Sequence, residues 1–173
     1  ADGDLKSMYD EIADKRGGVS EVIKIHSLLP KTMRDHMNLY MTLMFEQRHT
    51  GIKRKQLEMM AVTVSAVNQC SYCVAHHSVP LGRLLRDDVL LNAIQTLDKE
   101  TLVGSLSAED NILVWLAEKI TREPYNVSEE DINTVREHGF NDEQVLHIVL
   151  VINYFNFVNR NVLALGIELE TDY

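Results

Sequence analysis

Residues that interrupt helices or cross-link small domains are scarce in this 173-residue chain. It contains three prolines, eight glycines and two cysteines, and the prolines and glycines are not gathered into linkers. Two cysteines are too few for a disulfide-stabilised scaffold, and 45% hydrophobic residues suffice for a core without cross-links. We therefore expect one compact domain over residues 1–173.

Positive charge is scarce as well. The chain has 17 Lys and Arg against 26 Asp and Glu, a formal net charge of -9, which disfavours nucleic acid as a partner. The longest apolar stretch, residues 145–158, is interrupted by His147, Asn153 and Asn156 and is shorter than the ~20 residues of a membrane helix. The first residues lack the basic and apolar parts of a secretory signal. We expect a cytoplasmic protein without a membrane span.

Apolar residues recur at helical spacing in almost every window, and no alternating β-branched segment competes. The pattern predicts an all-α fold with helices near 3–15, 19–28, 31–48, 53–67, 69–86, 87–97, 108–122, 129–138 and 142–165. Ser107, Ser128 and Asn141 are predicted N-caps, because each is followed three residues later by an acid or amide. Gly139 and Gly166 occupy predicted C-terminal caps.

Several conspicuous residues have plain structural interpretations. Met33, Met37, Met41 and Met44 form a stripe at helical spacing that predicts core or a subunit interface, and Trp115 is predicted to be core. Three polar residues lie along one face of the last predicted helix: Asn153, Asn156 and Arg160. We interpret them as an interface or an internal hydrogen-bond network, and the alternative is the wall of an active site. Five histidines have no chemical neighbour in sequence and are assigned to surface or core: His26, His36, His49, His138 and His147.

The segment NQCSYCVAHHS, residues 68–78, contains both cysteines. Cys70 and Cys73 are three residues apart, which in a helix brings their Cα atoms within the range of a disulfide. A disulfide that closes so short a loop removes little unfolded-state entropy, so it contributes little to stability. This spacing favours a redox pair.

A redox thiol must ionise near neutral pH, and the same segment offers two ways to lower a thiol pKa. If Asn68 caps a new helix, both cysteines lie near its N-terminus, where the helix dipole favours negative charge. His76 and His77 follow Cys73 by three and four residues, so either imidazole can take its proton, and His77 also aligns with Cys70.

Glu58 is the only acid in the apolar run from Leu57 to Val67. A carboxylate buried there needs a hydrogen-bond or ion-pair partner, or a functional role. In one continuous helix Glu58 would be ~18 Å from Cys70 along the axis. A proton relay therefore requires the helix to end near Asn68 and the next helix to fold back beside it.

The pattern Glu58, Cys70, Cys73, His77 resembles the alkylhydroperoxidase D-like families of the carboxymuconolactone decarboxylase superfamily, and the whole chain looks closest to the uncharacterised peroxidase-related branch. Further segments look like that branch in the same order: AEKITREP, HGFNDEQVLHIVLVINYFNFVNR and LGIELE. The resemblance implies a compact multi-helix fold whose helix-turn-helix core, about residues 50–100, carries the CxxC motif.

The resemblance also implies a thiol-dependent peroxidase without cofactor or metal. Cys73 would attack the hydroperoxide and Cys70 would resolve the sulfenic acid, with His77 activating Cys73 and Glu58 relaying protons to His77 through a water. His76 is a supporting candidate, and Tyr72 occupies the position where alkylhydroperoxidase D proteins have a histidine. Expected partners are a hydroperoxide, a dithiol reductant of lipoyl type, and further copies of the chain in a trimer or hexamer.

Other functions use the same residues. Cys70, Cys73, Glu58 and a histidine offer enough ligands for a zinc-binding module. The fold also suits a redox sensor, or a decarboxylase or lactone-processing enzyme of the wider superfamily, although lactone decarboxylation does not need a dithiol. The plain alternative is two inert cysteines in a core helix.

Overall fold

The computed structural model describes residues 3–16 and 18–170, and over these ranges it is all-α, as predicted. The α-helices of the described ranges are α1 (Gly3–Arg16), α2 (Glu21–Lys24), α3 (Pro30–Met41), α4 (Arg54–Val67), α5 (Ser71–Leu85), α6 (Asp88–Thr96), α7 (Lys99–Ser105), α8 (Ala108–Arg122), α9 (Glu129–Glu137) and α10 (Asp142–Ala164). Short 3-10 or π-helical turns lie between some of these helices.

One predicted boundary was wrong, and one short helix was not predicted. The helix predicted over 31–48 ends at Met41 and continues as a π-helical turn, Thr42–Glu46, and a 3-10 turn, Arg48–Thr50. The short helix α7 was missed, because its apolar pattern covers only seven residues. Its N-cap is Asp98, whose side chain accepts a hydrogen bond from the Thr101 backbone N–H.

Helix α4 is the centre of the domain. Every residue from Gln56 to Ser65 is buried, and the helix packs against α5, α8 and α10. A helix surrounded in this way has no solvent face, which explains why the run is apolar all round. Glu58 is fully buried within it, at 0% exposure.

The predicted break between α4 and α5 is confirmed, but its cap is different. Asn68 is the C-cap of α4 instead of an N-cap, and Gln69 then takes a left-handed conformation with φ of 58°. Cys70 is the N-cap of α5, and its carbonyl accepts a hydrogen bond from the Val74 N–H at 3.0 Å. The turn folds α5 back along α4, so these two helices form a hairpin.

Helix α10 is long and apolar enough to cross a membrane by length and composition, with a mean hydropathy of 1.4. Half of that apolar window is buried within the domain. Its buried amides are hydrogen-bonded to other helices: Asn156 donates to Thr121 of α8, and Asn159 donates to Ser65 of α4. These contacts make α10 part of the core of the domain.

The predicted caps Ser107, Ser128 and Asn141 are confirmed, since each side chain accepts a backbone N–H of its helix. Gly139 and Gly166 follow the last residues of α9 and α10 with φ of 95° and 64°, as predicted for C-terminal caps.

One of the plain interpretations needs correction. Trp115 is 37% exposed, because α8 turns Leu113 and Leu116 into the core and leaves Trp115 on its outer side. Met33 and Met44 are core residues, and the 37% exposure of Met41 is compatible with the subunit interface that was the other prediction for this stripe.

Candidate functional site

The helical hairpin places Glu58 directly against His77. A carboxylate oxygen, Oε2, accepts a hydrogen bond from His77 Nδ1 at 2.7 Å, so the water predicted between them is not needed. Because Nδ1 donates to the carboxylate, a neutral imidazole has its lone pair on Nε2. His77 is therefore held in the tautomer that accepts a proton through Nε2.

Arg54 is part of the site, and the sequence analysis did not single it out. Its guanidinium donates to the other Glu58 oxygen, Oε1, and to the Met44 carbonyl at 2.7 Å, and it stacks on the Phe45 ring at 4.0 Å from the centroid. The i, i+4 spacing of Arg54 and Glu58 was the available signal. The pairing supplies the partner that a buried carboxylate requires.

Both cysteines are buried, reduced and hydrogen-bonded to each other. The bond from the Cys73 thiol lowers the pKa of Cys70 to about 7. The same bond, together with burial, raises the pKa of Cys73. The first ionisation of the pair therefore falls on Cys70, and Cys73 keeps its proton, which the two sulfurs share in the hydrogen bond.

The two cysteines differ in their access to the surface. Cys70 is 0% exposed and Cys73 is 3% exposed, and Cys73 lines the pocket described below. Cys70 is shielded because it lies in the turn, where its backbone N–H bonds the Ser65 carbonyl at 2.9 Å. Of the two cysteines, Cys73 lines this pocket and Cys70 does not.

Asn159 of α10 is a further residue beside the thiols that the sequence analysis missed. It is fully buried and forms a hydrogen bond with the Cys73 sulfur that works to lower the pKa of that thiol. Its oxygen accepts from Asn68 at 3.0 Å. The predicted polar network on α10 is confirmed for Asn156, which also accepts from Asn68, whereas Asn153 is exposed.

Tyr72 and His76 contact a residue from the end of the described chain, Glu170. The Tyr72 hydroxyl donates to Glu170 at 2.8 Å, and His76 Nε2 lies 2.9 Å from its other oxygen. Burial alone would raise the pKa of Glu170, but hydrogen bonds from the Glu21 N–H, Tyr72 and His76 outweigh it and hold the pKa at about 2. Burial and the bond to Glu170 raise the pKa of Tyr72.

A pocket of about 280 Å³ opens beside Cys73, and we call it the thiol pocket. Glu58, Arg54 and His77 lie on one side, and the remaining wall is largely apolar and aromatic. It also contains His36, which the sequence analysis assigned to surface or core, and Tyr154, which it did not single out; their side chains are hydrogen-bonded at 2.8 Å. The sequence had no signal for this pair, because they lie 118 positions apart.

No hydrogen bond joins His77 to Cys73 among the residues that the structure describes. Both instead face the thiol pocket. Over residues 3–16 and 18–170, no three His, Cys, Asp or Glu side chains are grouped so as to hold a metal ion. The predicted residues are thus brought together as a dithiol beside a carboxylate–imidazole pair.

Comparison with known proteins gives a consistent family. Residues 30–79, which include Glu58, both cysteines and His77, match the model of the Carboxymuconolactone decarboxylase family. The uncharacterized protein YdfG of Bacillus subtilis (strain 168) is 25% identical over 149 residues, which cover 86% of this chain and 96% of that protein.

Solved structures extend the likeness to the whole fold. An uncharacterized peroxidase-related protein from Silicibacter sp. TM1040 is 27% identical with a TM-score of 0.87, covering 100% of this chain and 90% of the other. An uncharacterized peroxidase-related protein from Ralstonia eutropha JMP134, described as an alkylhydroperoxidase AhpD core, is 25% identical with a TM-score of 0.82, covering 98% and 86%. The debrominase Bmp8 shares the fold at 17% identity and a TM-score of 0.76, covering 96% and 86%. The family match over residues 30–79 and the similar solved structures together support assignment of the chain to the alkylhydroperoxidase D-like and carboxymuconolactone decarboxylase superfamily.

Proposed function

We propose that the protein is a thiol-dependent peroxidase that reduces hydroperoxides through Cys70 and Cys73. The observation that carries the proposal is the buried Glu58–His77 hydrogen bond on the wall of the same pocket that exposes the Cys73 sulfur. A carboxylate that fixes the tautomer of an imidazole beside a nucleophile is a recurrent arrangement for proton removal.

In the first step, the Cys73 sulfur attacks the terminal oxygen of the hydroperoxide. The O–O bond breaks, the electron pair leaves with the alkoxide, and Cys73 becomes a sulfenic acid. The hydrogen bond between the thiols transfers the remaining proton of Cys73 to Cys70 as attack proceeds. When the first of the two thiols ionises, its proton passes through the pocket to His77 Nε2.

In the second step, Cys70 condenses with the sulfenic acid. The two sulfurs are already in hydrogen-bond contact, so the disulfide forms with release of water. Over both steps, one hydroperoxide and two thiols give an alcohol, a water and a disulfide.

The proposed reductant is a small dithiol of lipoyl type on a partner molecule. Because Cys70 is fully buried, a reducing thiolate must enter the thiol pocket and attack the Cys73 sulfur. A dithiol then releases itself by closing its own ring, whereas a monothiol needs a second molecule in the same narrow pocket.

The test combines the reduced protein with tert-butyl hydroperoxide and follows the intact mass. We expect loss of the two thiol hydrogens, one alcohol per disulfide, and recovery by dihydrolipoamide that is faster than by glutathione. Cys73→Ser should abolish alcohol formation. A protein whose thiols stay reduced, or a serine variant that still turns over hydroperoxide, would contradict the proposal.

We also propose that the chain self-associates, as the family resemblance implies. Leu146, Leu150 and Phe157 lie at i, i+4 and i+11 on α10 and are 60%, 43% and 49% exposed. An apolar face of this kind is typical of a subunit interface. Light scattering should give a trimeric or hexameric mass, which Leu150→Glu should reduce; a monomeric wild-type mass would contradict the proposal.

A further inference from the structure

The wall of the thiol pocket also contains a second chain of hydrogen bonds, separate from the Glu58–His77 pair. His26 Nε2 lies 2.8 Å from His36 Nδ1, and His36 Nε2 lies 2.8 Å from the Tyr154 hydroxyl. His36 is 6% exposed and Tyr154 also 6%, and both face the pocket. The chain therefore links the pocket to the surface turn between α2 and α3.

The outer end of the chain fixes the direction of its bonds. The Thr32 hydroxyl has one hydrogen and donates it to the Leu29 carbonyl at 2.7 Å, so His26 Nδ1, 2.7 Å away, must donate to Thr32. A neutral His26 then accepts at Nε2 from His36 Nδ1. A neutral His36 in turn accepts at Nε2 from the Tyr154 hydroxyl.

One added proton reverses this order. If either imidazole becomes an imidazolium, His36 must donate through Nε2, and Tyr154 accepts that bond. The phenolic hydrogen then no longer binds His36, and Tyr154 can donate it to a molecule bound in the pocket. Thr32 is exposed and His26 is half-buried, so the proton can enter from solvent at the outer end.

We propose that Tyr154 is the general acid of the reaction, with His36 and His26 as the positioning residues that supply its proton. The proposal rests on the proposed peroxidase function. When Cys73 breaks the O–O bond, the departing alkoxide takes the proton of the Tyr154 hydroxyl. Tyr154 regains a proton from His36, His36 is reprotonated by His26, and His26 takes a proton from solvent.

With this assignment, two separate groups of pocket residues have different catalytic roles. Glu58 and His77 remove a proton from the thiol pair, and Tyr154 delivers one to the leaving oxygen. General acids matter most for poor leaving groups, because a strongly basic alkoxide cannot depart without a proton. Peracetic acid releases a carboxylate and needs no such help.

The experiment compares single-turnover oxidation of the dithiol by tert-butyl hydroperoxide and by peracetic acid. For Tyr154→Phe and His36→Gln, we expect a loss of ~10²-fold with tert-butyl hydroperoxide, within the usual range for general acids, and a loss below ~3-fold with peracetic acid. Tyr125→Phe, on a side chain that is 81% exposed, is the matched control and should change neither rate.

The outcomes separate the two proposals. Equal losses with both oxidants would assign Tyr154 a structural role, and unchanged rates would remove it from the reaction; either result overturns the inference while the peroxidase stands. A wild-type protein that neither oxidant converts to the disulfide would overturn the peroxidase proposal itself. Tyr154→Phe keeps the aromatic ring, whose centroid lies 5.1 Å from that of Phe155. That variant therefore tests the hydroxyl group even if the His36 variant unfolds.

Discussion

Replacing Glu58 with glutamine changes the charge of the buried pair while keeping its shape. The glutamine carbonyl can accept the Arg54 bond, and its amide group must then donate to His77 Nδ1. The imidazole is forced into the other tautomer, with hydrogen on Nε2. His77 keeps its position but loses the lone pair on Nε2.

The expected loss of stability is moderate. Hydrogen bonds to charged groups contribute ~1.5–3 kcal/mol each, and the variant keeps the number of bonds while losing the charge. Arg54 is 29% exposed, so water compensates for part of the loss. We expect the free energy of unfolding to fall by ~2 kcal/mol, which lowers Tm by about 4–8 °C for a chain of this length.

The expected loss of activity is much larger. With Nε2 protonated, His77 cannot act as a base, and such a loss costs ~10²–10⁴-fold in rate. The assays are thermal unfolding and quenched-flow mass spectrometry of disulfide formation with tert-butyl hydroperoxide.

A matched control is Glu118→Gln. Glu118 also pairs with two cations, Lys99 at 3.5 Å and Arg122 at 2.9 Å, but on the surface of the domain. We expect a change below ~1 kcal/mol and a wild-type oxidation rate. Oxidation of Glu58→Gln at the wild-type rate would refute the assignment of His77 as the base.

Three further predictions address the thiols and their surroundings. Thiolate absorbance should titrate near pH 7, and Cys73→Ala should raise the pKa of Cys70 toward that of a free thiol. His77→Ala should slow oxidation without raising that pKa. An unchanged pKa of Cys70 in Cys73→Ala would contradict the shared proton. Asn159→Ala should lower the unfolding free energy by ~2–3 kcal/mol in urea, because its buried polar partners lose their bonds, and no loss would contradict the network. The pKa of Glu170 is about 2, below its ordinary 4.5, so this carboxylate stabilises the fold above about pH 4.5 and that contribution disappears as the pH falls toward 2. Glu170→Gln should flatten this part of the pH–stability profile, and a profile identical to wild type would contradict the bond.

Local patterns predicted most of the fold. Capping residues such as Ser128 and Asn141 act within one turn of their own helix, so their effect can be read from adjacent positions. Trp115 was placed wrongly because helical spacing gives a face but does not say how wide the buried face is. The break at Asn68 was predicted from the chemistry that a relay would need.

The candidate site was less accessible to sequence reasoning. Glu58 and His77 are carried by neighbouring helices of one hairpin, so their contact followed from the predicted turn. Glu170, Asn159 and Tyr154 reach the thiols and the pocket through tertiary packing of distant segments, which no local spacing encodes. The exposure of the two sulfurs likewise depends on the turn at Cys70, where the fold shields the N-cap.

The central claim is that Cys73 attacks the hydroperoxide and Cys70 resolves the product. The most direct test is to treat reduced Cys70→Ser and Cys73→Ser with tert-butyl hydroperoxide in the presence of dimedone and to locate the adduct by mass spectrometry. We predict a dimedone adduct on Cys73 in Cys70→Ser and none on Cys70 in Cys73→Ser. An adduct on Cys70 that forms as fast as the one on Cys73, or no adduct in either variant, would contradict the claim.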